Sequence, residues 1–128
     1  MKKLYIILLS LVTTASFSQA TDLFFSQYGE GSSNNKFLEI YNGTGQDVDL
    51  SNYAFPSVAN APDVPGTHEY WNDFPEGAVV ANGDVYVIAH PSANDEITAT
   101  ADHFHQYLSN GDDGLSLIHI SEPTRQEV

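Results

Sequence analysis

The chain has no cysteine, one methionine, one tryptophan, and four lysines and arginines against seventeen aspartates and glutamates. Each shortage removes a class of answer. Without cysteine there is no disulfide, no thiolate nucleophile and no cysteine-type zinc site, so stability has to come from packing. Between residue 4 and Arg125 the only lysine or arginine is Lys36. Affinity for phosphate backbones rests on cations that displace counterions, so nucleic acid is not an expected partner. Long apolar runs are missing too. The longest, residues 4–12, falls well below the roughly 20 residues a membrane-spanning helix needs.

That short run has a different meaning in its setting. Lys2 and Lys3 precede it, and small residues follow it up to Ser18-Gln19-Ala20. This is the pattern of a secretory signal peptide over residues 1–20, and the expectation is an exported protein, secreted or held at the cell surface, with no membrane span after cleavage. An uncleaved anchor is the alternative, and the shortness of the run speaks against it. At the other end, residues 115–125 (Leu-Ser-Leu-Ile-His-Ile-Ser-Glu-Pro-Thr-Arg) resemble a translated sequencing adapter. Residues 115–128 are therefore expected to be a non-native tail, with the fold cut short at its C-terminal end. The alternation in residues 115–120 also permits a natural final strand.

Residues 21–114 make one domain, which at this size buries roughly 60–65% of its unfolded surface. Fifteen of the seventeen acidic residues fall there, Glu122 and Glu127 being the others, against the single Lys36, for a formal charge of −14. The apolar pattern has the period of strands. Leu38 and Ile40 lie on one face of residues 36–42 and Glu39 on the other. Asn42-Gly43 then reads as the tight turn of a hairpin whose second strand is residues 48–50. Residues 23–28 read as a first strand, 68–71 and 77–80 as short ones, and 84–90 as a central strand covered on both faces. Pro56 lacks the amide donor a central strand needs, which makes residues 53–58 at best an edge or the end of a pairing. Pro56, Pro62 and Pro65 mark residues 56–66 as a long crossing loop. Asn94 stands where a helix cap would, with Ile97, Ala101, Phe104 and Leu108 on one helical stripe after it.

Four landmarks in order resemble the lamin-tail domain: Phe-Leu-Glu-Ile-Tyr-Asn at 37–42, Val-Asp-Leu-Ser-Asn-Tyr at 48–53, Asn-Gly-Asp-Val-Tyr-Val-Ile-Ala at 82–89 and Asn-Gly-Asp-Asp at 110–113. The resemblance implies an all-β, immunoglobulin-like β-sandwich. It implies a non-catalytic interaction or positioning module of a larger exported bacterial protein. In that family the module often stands beside hydrolase domains, so an N-terminal fragment of a secreted nuclease or phosphatase is an alternative reading. A Ca²⁺-assisted carbohydrate binder is another.

Candidate chemistry is sparse. Asp112 and Asp113, with Asp47 and Asp49 from another loop, offer oxygen ligands of the kind Ca²⁺ takes, although the spaced loop of a dedicated calcium site is missing and turn aspartates more often cap backbone amides. His103 and His105 would share one face of a strand, a geometry used by zinc, but no third ligand stands at a recognisable spacing. Neither Gly-x-Ser-x-Gly nor a Gly-rich phosphate loop occurs. Aromatics gather near the Pro-rich loop. Tyr53, Phe55 and most of the others suit a core, whereas Tyr70, Trp71 and Phe74 are the candidates for a contact surface toward a protein or glycan partner.

Overall fold

The computed structural model of the chain describes residues 19–120. The leader expected over residues 1–20 lies outside them except for its last two residues, as does the end of the expected tail. The strands are β1 (Phe24–Glu30), β2 (Lys36–Tyr41), β3 (Val48–Asp49), β4 (Tyr53–Ala54), β5 (Ser57–Val58), β6 (Val79–Val80) and β7 (Val85–Ala89). A one-turn helix α1 (Asp95–Thr98) follows, and then β8 (His103–Phe104), β9 (Gly114–Leu115) and β10 (Ile118–His119).

One sheet has the order β1-β2-β7-β8. Alternation in β2 sends Leu38 and Ile40 inward to complete burial, where they stand opposite Ile88 and Tyr86 of β7 in an antiparallel ladder. Burying side chains of this size stabilises the fold by about 1.5–3 kcal/mol each. β7 is the central strand, and Tyr86, Val87, Ile88 and Ala89 are all buried. β8 pairs with it in parallel. A parallel neighbour needs a crossover of a dozen or so residues, which residues 90–102 supply. Asp102 closes the crossover: its amide donates to the Val87 carbonyl (2.9 Å) and its Oδ2 accepts from the Val87 amide (2.9 Å).

The long helical stripe does not form. Asn94 does cap a helix, accepting from the Ile97 amide at 3.0 Å, but the helix lasts one turn. Pairing of His103 with Ile88 holds the next segment extended, and this separates the supposed stripe: Phe104 faces solvent while Leu108 is buried.

The opposite layer is made of two-residue pieces, β4 with β10, β5 with β9 and β3 with β6, all antiparallel. Residues 53–58 are flanked on both sides, by β9 and β10 on one and by residues 70–73 on the other, where Tyr70 bridges to Ser57 and Asp73 to Ala54. The expectation that Pro56 confines this segment to an edge is therefore corrected. Pro56 pairs with Ser116, whose amide donates to the Pro56 carbonyl at 3.0 Å. Only the return bond of that pair is missing, so the proline splits one strand into β4 and β5 without uncovering it. Residues 114–119 thus take part in the fold, with Leu115 and Leu117 against the core; alternation alone suffices for such pairing.

The hairpin expected at residues 36–50 is also corrected. Both edges of β2 are taken, by β1 and β7, so β3 has none to join and pairs instead with β6 in the other layer. Gly45, with φ 89°, supplies the left-handed residue of the connection, rather than Asn42-Gly43. Asn42 has another task. Fully buried, it donates through Nδ2 to the carbonyls of Gln46 (2.7 Å) and Val80 (2.9 Å), while its Oδ1 accepts from the amide and hydroxyl of Thr44. Its backbone meets the second Asn-Gly turn, where Gly83 (φ 76°) donates to the Asn42 carbonyl at 2.8 Å. The two turns that carry the chain between layers are tied through one side chain.

Candidate functional site

The Pro-rich loop 56–66 and the turn at 110–114 come together at one end of the second layer. Residues 70–72 lie beside residues 55–57 because the Ser57 and Tyr70 amides each donate to the other's carbonyl (2.8 and 3.0 Å) and the Phe55 amide donates to Asn72 (2.9 Å). The Asn72 Nδ2 returns to the Phe55 carbonyl at 3.0 Å. Opposite them, Asp113 closes its own turn by accepting from the Asn110 amide (2.7 Å), and its other oxygen accepts from the Asn60 amide (2.8 Å) in the Pro-rich loop. Those backbone bonds, Asn110 first and Asn60 second, with Lys36 nearby, hold the Asp113 carboxyl below the usual carboxylate range.

Sheet and turn are joined as well. Lys36 at the start of β2 donates through Nζ to Asn110 Oδ1, and the Gly111 amide donates to Glu30 at 3.2 Å. The Tyr28 hydroxyl lies 3.0 Å from both Glu30 and the Ser109 carbonyl, and burial followed by Glu30 pushes its pKa up to about 12.

Between these rims runs a groove of about 630 Å³. Tyr70 and Tyr107, 55% and 73% exposed, both line it. So do the amide side chains of Asn72, Gln106 and Asn110. A volume of that size lies within the roughly 300–1,000 Å³ typical of small-molecule sites. Tyr107 and Gln106 are hidden from the sequence reading because they lie in a segment whose spacing also fits a helical stripe. The cue was present in His103, His105 and Tyr107, which alternate as a strand does.

The other candidate residues fall elsewhere. Phe74 is in the core, its ring 5.0 Å from that of Phe55, and is closed to a partner. Trp71 is half exposed, with Nε1 donating to Asp73 at 2.8 Å. Asp47 accepts from the Asn82 amide (2.9 Å), and Asp49 caps the 3₁₀ turn at Leu50–Asn52 by accepting from the Ser51 amide (2.8 Å), which lowers its pKa. They thus serve a different pair of loops from Asp113, while Asp112 is exposed. Among the described residues no three His, Asp or Glu side chains converge as a metal site would require. A second groove, of about 610 Å³, lies by α1 and carries Glu39, Glu96 and Asp102.

His103 and His105 do share a face. Both are half-buried edge-on against the Phe55 ring, with centroids at 5.7 and 5.2 Å. His103 Nδ1 and His105 Nε2 are buried without a hydrogen-bond partner. Burial lowers both imidazole pKa values, and His105 lowers that of His103 further.

A family model described as the Lamin Tail Domain matches residues 16–127. Its immunoglobulin-like fold agrees with the two layers of strands described above. No match was found among curated proteins or among solved structures. No helix among the described residues is long and apolar enough to cross a membrane.

Proposed function

Because the chain belongs to the lamin-tail domain family, we propose that it is a non-catalytic interaction module, exported by the leader at residues 1–20, whose contact face is the groove bounded by residues 57–72 and 106–113. The observation that carries this reading is the pair of exposed tyrosines on a groove whose two rims are fixed to each other by Asp113. Tyrosine gives a large contact area with few rotatable bonds and a polar tip. Rims already tied by backbone bonds lose little conformational freedom when a partner docks, which leaves more of the contact energy as affinity. The formal charge of −14 over residues 21–114 directs the face away from polyanions.

The test is retention of the full chain in the cells that make it. The protein should appear outside the cytoplasm and stay with the cell-surface fraction. A chain carrying both Tyr70→Ala and Tyr107→Ala should be released at least about tenfold more readily, the loss of about 1.4 kcal/mol of contact energy, with its melting temperature little changed. Equal retention of the double variant would remove the groove from consideration.

A further inference from the structure

We infer that the groove takes a neutral oligosaccharide; this rests on the reading of the groove as the contact face. Two fully charged side chains line the groove, Lys36 and Asp113, and both are committed within the protein: Lys36 Nζ to Asn110 Oδ1, and the two oxygens of Asp113 to the amides of Asn60 and Asn110. What they leave for a ligand has no net sign. A carboxylate-bearing or phosphorylated ligand would also have to approach through the field of fifteen acidic residues answered by one lysine.

Two kinds of side chain stand out in the remaining lining, which also holds Val58, Ala59, Leu108 and two serines. Tyr70 and Tyr107 bring exposed rings, and Asn72, Gln106 and Asn110 bring amides, Asn72 having spent its Nδ2 on the Phe55 carbonyl and Asn110 its Oδ1 on Lys36. A sugar hydroxyl both donates and accepts, so it can pair with Gln106 in either sense, with Asn72 through Oδ1 and with Asn110 through Nδ2, without a charge being desolvated. The C–H faces of a pyranose are apolar and flat enough to lie on an aromatic ring, while the hydroxyl edge stays wet. Exposed aromatic rings beside uncharged amides therefore match a ligand that is apolar on its faces and hydroxylated on its edges. A basic peptide would find no unspent carboxylate in the groove, and an apolar helix would bury the Gln106 amide without a partner.

The experiment is calorimetric titration of the full chain with short oligosaccharides of glucose, mannose, galactose, xylose and N-acetylglucosamine, with oligogalacturonate and an oligolysine peptide as charged comparators. At least one neutral sugar should bind. Tyr107→Ala and Gln106→Ala, both at exposed positions, should each weaken it about tenfold or more without moving the melting temperature. Trp71→Ala, outside the groove lining, should bind as the parent does. Silence across the neutral panel, unchanged binding by Tyr107→Ala, or tighter binding of either charged comparator would overturn the inference. If the sugars fail while the double tyrosine variant still escapes the cell surface, the glycan is wrong and the contact face stands; if that variant is retained as well, both readings fall.

Discussion

In the sheet β1-β2-β7-β8 the three main strands run five to seven residues and pair along their length, whereas no strand of the opposite layer exceeds two. The first is held by backbone ladders over a continuous apolar face. The second supplements its short ladders with side chains that reach back to the main chain: Asn42 to Gln46 and Val80, Asp49 to Ser51, Asn72 to Phe55, Asp113 to Asn60. A ladder fixes spacing and direction but leaves little freedom of shape. Polar staples let loops of unequal length be clamped at chosen points, and the groove sits where such clamps are concentrated. The contrast suggests a division of labour in which one layer supplies stability and the other supplies surface.

The sharpest challenge to that contrast is Ile88→Ala in the ladder sheet. Ile88 is fully buried opposite Leu38, and its truncation should cost about 2–5 kcal/mol in a chemical denaturation experiment. A loss below about 1 kcal/mol would mean that the sheet is not the main support. Next comes Asn42→Ala, which leaves two carbonyls and the Thr44 groups without their buried partner and should cost about 1–3 kcal/mol. Amide exchange should accelerate at Thr44 while Ile40 and Ile88 stay protected; uniform acceleration would mean that the two layers are not separable in this way.

The third effect is smaller and depends on pH. His103 and His105 have folded-state pKa values below the usual 6.5, so as pH falls the unfolded chain takes up protons first. Their contribution to stability is complete above about 6.5 and declines as pH drops through the lower folded values. The melting temperature should fall between pH 7 and 5, and a chain with both histidines replaced by glutamine should show a flatter profile. Identical slopes would place the acid sensitivity elsewhere.

The ladder sheet was legible in the sequence because its signal is local: Leu38 and Ile40 alternate with Glu39, and the run from Val85 to Ala89 is apolar throughout. The staples were not, because the partner of Asn42 at Val80 or of Asp113 at Asn60 is set by the fold and leaves no period behind. The departures from expectation share a cause. Asn42-Gly43 looked like a hairpin turn because sequence cannot show that both edges of β2 are occupied, and Pro56 looked like an edge marker because sequence cannot show that a single bond of one pair would be lost. The stripe from Ile97 to Leu108 had the right spacing for a helix, but pairing with β7 overrode it. Of the aromatics named for a surface, Tyr70 and Trp71 are exposed and Phe74 is not, a distinction made by the tilt of its ring onto Phe55.

Lys36 anchors itself to an amide oxygen, and around it the folded body carries a crowd of like charges with almost no counterweight. Mobile ions are then the main means of quieting that mutual repulsion. Raising ionic strength from 0.01 to 0.15 M shortens the reach of each charge from about 30 to about 8 Å, so the molecule should melt later in brine than in dilute buffer, the opposite of a fold that depends on ion pairs.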